Sequence, residues 1–298
     1  MARHQHRERK HAVSDDLDAL LDVLAVEHLD TYRFRGTTPA GREKRVYGGQ
    51  VLAQAMHSAS CTVEGSRRVH SLHAYFLRPG DPARPILYEV DPIRDGRRFS
   101  TRRVIALQAG RAIFSTSISY KLPEKGLQHQ DPMPDVPGPD QLESDFDFYT
   151  RLAAVHPERF KAPRRHAIDY RIVEREDPAS PRHVAARMGV WMRANGALAE
   201  NPATHTELLA YMSDNYLLST ALLPHALCYD SPEIQTASID HGLWFYGDFR
   251  ADEWLYYHLA SPCAAGGRGF NIGSIYTRDG RLVATAVQEG LMHLHAED

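Results

Sequence analysis

One helix-forming stretch followed by a run of strand-forming stretches occurs twice, in the same order, along the 298 residues. A pattern that returns once at domain length points to two fused copies of one fold rather than one large domain. In the first copy Val51, Leu52, Ala55, Met56 and Ala59 recur at helical spacing after Gly48-Gly49. Strands are then expected at Val69–Leu77, Ile86–Val90, Phe99–Leu107 and Arg111–Lys121, parted by Arg78-Pro79-Gly80, Asp95-Gly96 and Ala109-Gly110. In the second copy a strand at Val184–Arg193 precedes a helix over Thr206–Leu223, and strands follow at Thr236–Phe245, Glu253–Ala260, Phe270–Thr277 and Arg281–His293. Two local matches fall in register with this repeat. Gly96-Arg97-Arg98-Phe99 answers Gly267-Arg268-Gly269-Phe270, and Gly110-Arg111 answers Gly280-Arg281.

A helix ahead of antiparallel strands is an α+β arrangement, in which a curved sheet wraps the helix and hides its apolar surface. The second helix demands such cover. Leu208, Leu209, Tyr211, Met212, Tyr216, Leu217, Leu218 and Leu222 leave it apolar nearly all the way round. An earlier helix is expected over Ser14–Val26, with Ser14 as N-cap, and an extended stretch around Leu29–Arg35. Between the copies, residues 123–165 hold Pro123, Pro132, Pro134, Pro137, Pro139, Pro157 and Pro163, with a short helix near Gln141–Val155. This reads as a surface connector. The expected division is a disordered tail over residues 1–13, a first domain over 14–122, the connector over 123–165 and a second domain over 166–298.

Composition removes several function classes. A formal net charge of -3 gives no positive field to hold nucleic acid or an anionic membrane. No apolar run is long enough to span a bilayer, and the basic N-terminus has no apolar stretch behind it, so neither a membrane span nor a secretory signal is expected. The last residues, Ala296-Glu297-Asp298, are not a Ser-Lys-Leu peroxisomal address. A cytoplasmic location is the expectation. Cys61, Cys228 and Cys263 are far apart and odd in number, and the histidines show no ligand spacing, so no metal site is expected.

Asp214 is the residue that physics singles out. The predicted helix places it mid-helix among apolar neighbours, where a carboxylate is costly unless hydrogen-bonded. Spacing alone leaves it between two roles, a cap on neighbouring backbone or a group that orients and deprotonates water. Ser238 and Gln288 fall in predicted core strands. Taken singly they read as a hydroxyl satisfying backbone and an amide facing solvent. Asp240 and His241 are adjacent, so on a strand they face opposite ways and form no simple dyad. No G-x-S-x-G, H-E-x-x-H, P-loop or G-x-G-x-x-G motif occurs in a fitting context.

The segments Arg45-Val46-Tyr47-Gly48-Gly49-Gln50-Val51-Leu52, His70–Asp81 and Arg94-Asp95-Gly96 share an order with Ser213-Asp214, Ala237–His241, Arg268-Gly269-Phe270 and Val287-Gln288-Glu289-Gly290. With these segments the chain resembles the acyl-CoA thioesterase II family over about Leu29–His293. The resemblance implies a double hotdog fold and hydrolysis of fatty acyl-CoA to fatty acid and CoA, with no cofactor or metal. It also implies a homodimer or larger homo-oligomer. It implies, too, a water-positioning trio at Asp214, Ser238 and Gln288, with Ser238 standing where the family commonly has Thr. The hydroxyl is kept and a methyl is lost. The oxyanion would be met by backbone N–H groups at a helix start near Gly49. Arg97, Arg98 and Arg268 are candidates for the CoA phosphates. Two other readings stay open beside this one. A hotdog dehydratase would use a His with a carboxylate, for which His73 is the candidate, and a binding module would carry a dead site. The first copy has Ile118 or Ser117 where Gln288 would repeat, so one site per chain is expected.

Overall fold

The computed structural model describes residues 16–39, 45–163 and 167–295. The proposed Ser14 cap and the basic tail lie outside them. Helix α1 covers residues 16–24, and the expected extended stretch is a small hairpin, β1 (Glu27–Asp30) and β2 (Arg33–Gly36). Helix α2 (Gly48–Ser60) follows, then β3 (Arg68–Phe76), β4 (Ile86–Asp95), β5 (Phe99–Gln108) and β6 (Arg111–Lys121). The connector carries α3 (Asp145–Val155), capped by Ser144 accepting from the Asp147 N–H. The second copy runs β7 (Ile168–Ile172), β8 (Arg187–Ala194), α4 (Pro202–Ser213), a 3-10 segment (Leu218–His225), β9 (Ile234–Ser238), β10 (Asp240–Phe245), β11 (Leu255–Ala265), β12 (Arg268–Thr277) and β13 (Leu282–Leu294).

The strands form one antiparallel sheet whose order is a palindrome of the two copies. It reads β1-β2-β4-β5-β6-β3 and then β10-β13-β12-β11-β8-β7, with β9 also on β13. Strands β3 and β10 pair at the seam, His73 opposite Gly242. The copies agree in detail. Gly110 and Gly280 both take positive φ in the last hairpin of each half, a conformation that costs glycine nothing. A bulge follows at Ile113 in one half and Val283 in the other. Ile113 O accepts from Leu77 N–H, and Val283 O from Tyr246 N–H.

Helix α2 packs on the strands β2 to β6 of the first half, the 3-10 segment Leu218–His225 packs on β8, β11, β12 and β13 of the second, and α2 and α4 pack on each other. Ala53, Ala55, Met56 and Ala59 of α2 and Leu208, Leu209, Ala210 and Met212 of α4 are fully buried, and one apolar cluster runs through both halves. The connector covers the outer face of the second half. Met133, Val136 and Leu142 pack on Trp191, Trp254, Tyr256 and Tyr276, and Trp191 Nε1–H donates to Pro137 O.

Two expected elements are interrupted. The helix expected over Thr206–Leu223 stops at Ser213, with Asp214 as its C-cap, and Tyr216 takes a φ of 66° before the 3-10 segment begins. Asp214 is therefore not mid-helix. The apolar run reads as continuous because both pieces are buried. The break is fixed by tertiary partners that periodicity does not see. The strand expected over Thr236–Phe245 is two strands that meet β13 in registers one residue apart, Gly290 opposite Ser238 but Val287 opposite Gly242. Asp240 braces the irregularity, its carboxylate accepting from Glu289 N–H at 2.6 Å.

Candidate active site

The end of α4 delivers a carboxylate, β9 a hydroxyl and β13 an amide to one point. Gln288 Nε2 donates to Asp214 Oδ1 at 2.7 Å, and Ser238 Oγ lies 3.4 Å from the same oxygen. Gln288 is fully buried, whereas Asp214 and Ser238 are half-buried and line an open cleft of about 1870 Å³. A carboxylate with donors on one oxygen and a cleft on its other side is held in place yet open to a reactant.

The first half supplies the opposite wall. The start of α2 runs against Asp214 so closely that a Cβ on Gly48 would stand 2.7 Å from Asp214 Oδ2 and 3.0 Å from the Phe76 ring. A Cβ on Gly49 would collide with the Tyr211 carbonyl of α4. The two glycines let the helices approach, and Tyr47 Oη–H donates to Tyr211 O at 3.0 Å to tie them. Tyr47 offers no side-chain cap to α2, and the N–H groups of Gly48 and Gly49 have no carbonyl one turn back. They form a partly positive terminus beside the carboxylate.

Behind the trio lies a group that sequence reasoning passed over. His241 is 1% exposed, with Nδ1 at 3.2 Å from Gln288 Nε2 and Nε2 at 3.0 Å from Ser213 Oγ. Its adjacency to Asp240 argued against a dyad, and none forms. Its partner is across the strand, on β13. Below the cleft, Tyr216 hydrogen-bonds the carboxylate of Asp145 on α3, and Arg175 pairs with that carboxylate. Burial pushes the Asp145 carboxyl up against the pull of Arg175. This anchor, which sequence reasoning also missed, holds the left-handed residue two places after Asp214.

The other sequence candidates lie elsewhere. Arg97 and Arg98 sit in the β4–β5 turn, with Arg98 on Glu124 at 3.2 Å, and Arg268 opens β12 on Glu289 at 2.8 Å. None of the three lines the cleft, whereas Arg45 and Arg78 do. Arg45 reaches Tyr229 Oη at 2.8 Å and Thr236 O at 3.1 Å. His73 is exposed and meets the Trp244 ring edge-on, so a His–carboxylate arrangement has no support there. In the first half Ile118 occupies the place of Gln288, at the same distance past the left-handed turn glycine, and the C-cap of α2 is Cys61 where α4 has Asp214.

Comparison with known proteins adds to this geometry. The acyl-CoA thioesterase family matches residues 157–291, and the acyl-CoA thioesterase N-terminal domain matches residues 37–121. The chain is 36% identical to acyl-CoA thioesterase 2 of Haemophilus influenzae over 284 residues, 94% of this chain and 99% of that protein. It is 37% identical to acyl-coenzyme A thioesterase 8 of Homo sapiens over 282 residues, 91% of this chain and 88% of that protein. Among solved structures, an acyl-CoA thioesterase II from Mycobacterium marinum is 38% identical, with a TM-score of 0.77 over 93% of this chain and 99% of that one. A protein of hot dog fold from Alicyclobacillus acidocaldarius, 19% identical, has a TM-score of 0.75 over the same shares and bears on the fold alone. The architecture is a double hotdog.

Proposed function

We infer, for a chain that belongs to the acyl-CoA thioesterase family, that it hydrolyses fatty acyl-CoA to fatty acid and CoA by direct attack of a water held at the Asp214 carboxylate, which Ser238 and Gln288 fix in place. The observation that carries the reading is the meeting of Gln288 Nε2 and Ser238 Oγ on Asp214 Oδ1, at the start of α2. Water at this point donates one O–H to the Asp214 carboxylate, which acts as general base. The water oxygen adds to the thioester carbonyl carbon. The resulting oxyanion faces the Gly48 and Gly49 N–H groups, whose partial positive charge counts for more in the walled cleft than in bulk water. The tetrahedral adduct collapses, the C–S bond breaks, and CoA leaves as a thiolate, which takes up the proton. A thiol with an intrinsic pKa near ~8.5 leaves readily, so no strong general acid is needed.

The cleft supplies both ends of the substrate. Phe76, Leu218 and Ile239 give an apolar path for an acyl chain. Arg45 and Arg78, with Lys161 and Arg182, are among the cations that line it and could meet phosphates, whereas Arg97, Arg98 and Arg268 do not line it. A homo-oligomer belongs to the same reading.

A single turnover in ¹⁸O-labelled water tests the route. Direct attack puts the label in the fatty acid and leaves Asp214 unlabelled. Label entering the Asp214 carboxylate would mean that Asp214 itself attacks and forms an anhydride, and would overturn the reading.

A further inference from the structure

Hydrogen-bond bookkeeping around Gln288 leads from the reactive carboxylate to a buried histidine. An ionised Asp214 only accepts, so the Gln288 atom 2.7 Å from Oδ1 is the donor nitrogen. That same nitrogen stands 3.2 Å from His241 Nδ1, which must therefore accept. The imidazole proton is then on Nε2, which donates to Ser213 Oγ at 3.0 Å, and the Ser213 hydroxyl donates in turn to Ala210 O at 3.0 Å. Every link in this chain fits its neighbour. Gln288 Oε1 is buried without a partner, so the amide is held entirely through its nitrogen, by the reactive carboxylate on one side and His241 on the other. Burial pushes the His241 imidazole down against the pull of Asp214, which keeps it neutral and able to accept.

The first half of the chain is an internal control. Leu77 and Tyr246 make equivalent bonds to the bulged residues Ile113 and Val283. Counting back equally from each makes Leu72 the counterpart of His241. Leu72 pairs with Ile118, the counterpart of Gln288, and both are fully buried. The half that lacks the carboxylate lacks the amide and the imidazole together. The imidazole thus accompanies the amide that stands against the carboxylate.

We propose that His241 is a positioning residue for the hydrolysis, holding the Gln288 amide with its nitrogen toward Asp214. A turned amide would bring Oε1 against the carboxylate and spoil the water site. The proposal rests on the water-attack reading above and adds a second link to it.

The test uses His241→Leu, which places in β10 the residue that β3 already buries at the equivalent position, and His241→Asn, whose Oδ1 restores an acceptor near the place of Nδ1. With the fold intact by circular dichroism, His241→Leu is expected to lower kcat roughly tenfold or more, the worth of one orienting hydrogen bond, with little change in KM. His241→Asn is expected to recover most of that loss. Nitrogen-15 NMR of the wild-type imidazoles is expected to show His241 as the neutral Nε2–H tautomer, a readout that needs neither activity nor a variant. Unchanged kcat in His241→Leu, no recovery in His241→Asn, or an Nδ1–H tautomer would each overturn the proposal. Asp214→Asn measured alongside separates the two readings. If it abolishes turnover while His241→Leu does not, only the positioning role falls. If it leaves turnover intact, the water-attack reading falls with it.

Discussion

Gly48 is where the first half comes closest to the Asp214 carboxylate of the second, a Cβ there standing 2.7 Å from Oδ2. Its φ is not in the left-handed region, so its value lies in the missing side chain, which leaves the Asp214 carboxylate unobstructed. Alanine is the better helix former by up to ~1 kcal/mol, so Gly48→Ala should leave the melting midpoint within a few degrees. Its methyl would displace Asp214 or the Phe76 ring, and misplacement on that scale costs about 10²-fold in rate. Steady-state turnover and a thermal melt on the same sample check this, and full activity in Gly48→Ala would contradict the close approach. At this scale the sequence was legible only in company. Asp214 drew notice as a carboxylate among apolar residues, but Ser238 and Gln288 looked ordinary until the ordered segments around them resembled a family. Ser213 and His241 stayed hidden because their partners, each other and an amide on the neighbouring strand, are tertiary contacts that no local pattern announces.

Elements were read well where one face decides them and poorly where partners do. Strand β6 was expected over the residues it occupies, since its alternation runs from the turn glycine Gly110 to Pro123. Strand β7 was missed, being short and following residues that read as connector. The expected Thr206–Leu223 helix ran through the break after Ser213, because Tyr216 and Leu217 continue the apolar pattern, although Asp214 caps α4 and Asp145 holds the Tyr216 hydroxyl. Helices α2 and α4 are also joined by His57, whose Nδ1 lies 3.0 Å from Glu207 Oε2. Burial opposes the imidazolium, but the Cys61 thiol and the Glu207 carboxylate outweigh it and push the His57 pKa up to about 10. A folded-state value above the unfolded ~6.5 means that this stabilisation is complete below pH ~6.5 and is lost as pH rises through about 10. Urea midpoints for wild type and His57→Gln should therefore differ most at pH 6 and converge by pH 10. A gap that widens with pH would contradict the assignment.

Across the whole molecule, duplication was the most legible property and asymmetry the least. Two glycine turns and a shared element order revealed the copies, and the palindromic sheet, the matched bulges and the paired seam strands β3 and β10 follow from it. The resemblance implied residues of both copies at one site, but not how closely the two helices approach there. The second half holds the carboxylate, amide and hydroxyl, and the first half presents a helix terminus to them across the shared core. The connector, legible as proline-rich, turns out to cover the outer sheet face and to reach through Asp145 to the loop after Asp214. The central claim is that this composite site cleaves acyl-CoA with Asp214 as base. Release of free CoA thiol from a medium- and a long-chain acyl-CoA, compared between wild type and Asp214→Asn, tests it most directly. The account predicts steady release by the wild type and a fall of about 10²–10⁴-fold in a folded variant, whereas equal release by the two proteins, or none by either, would contradict it.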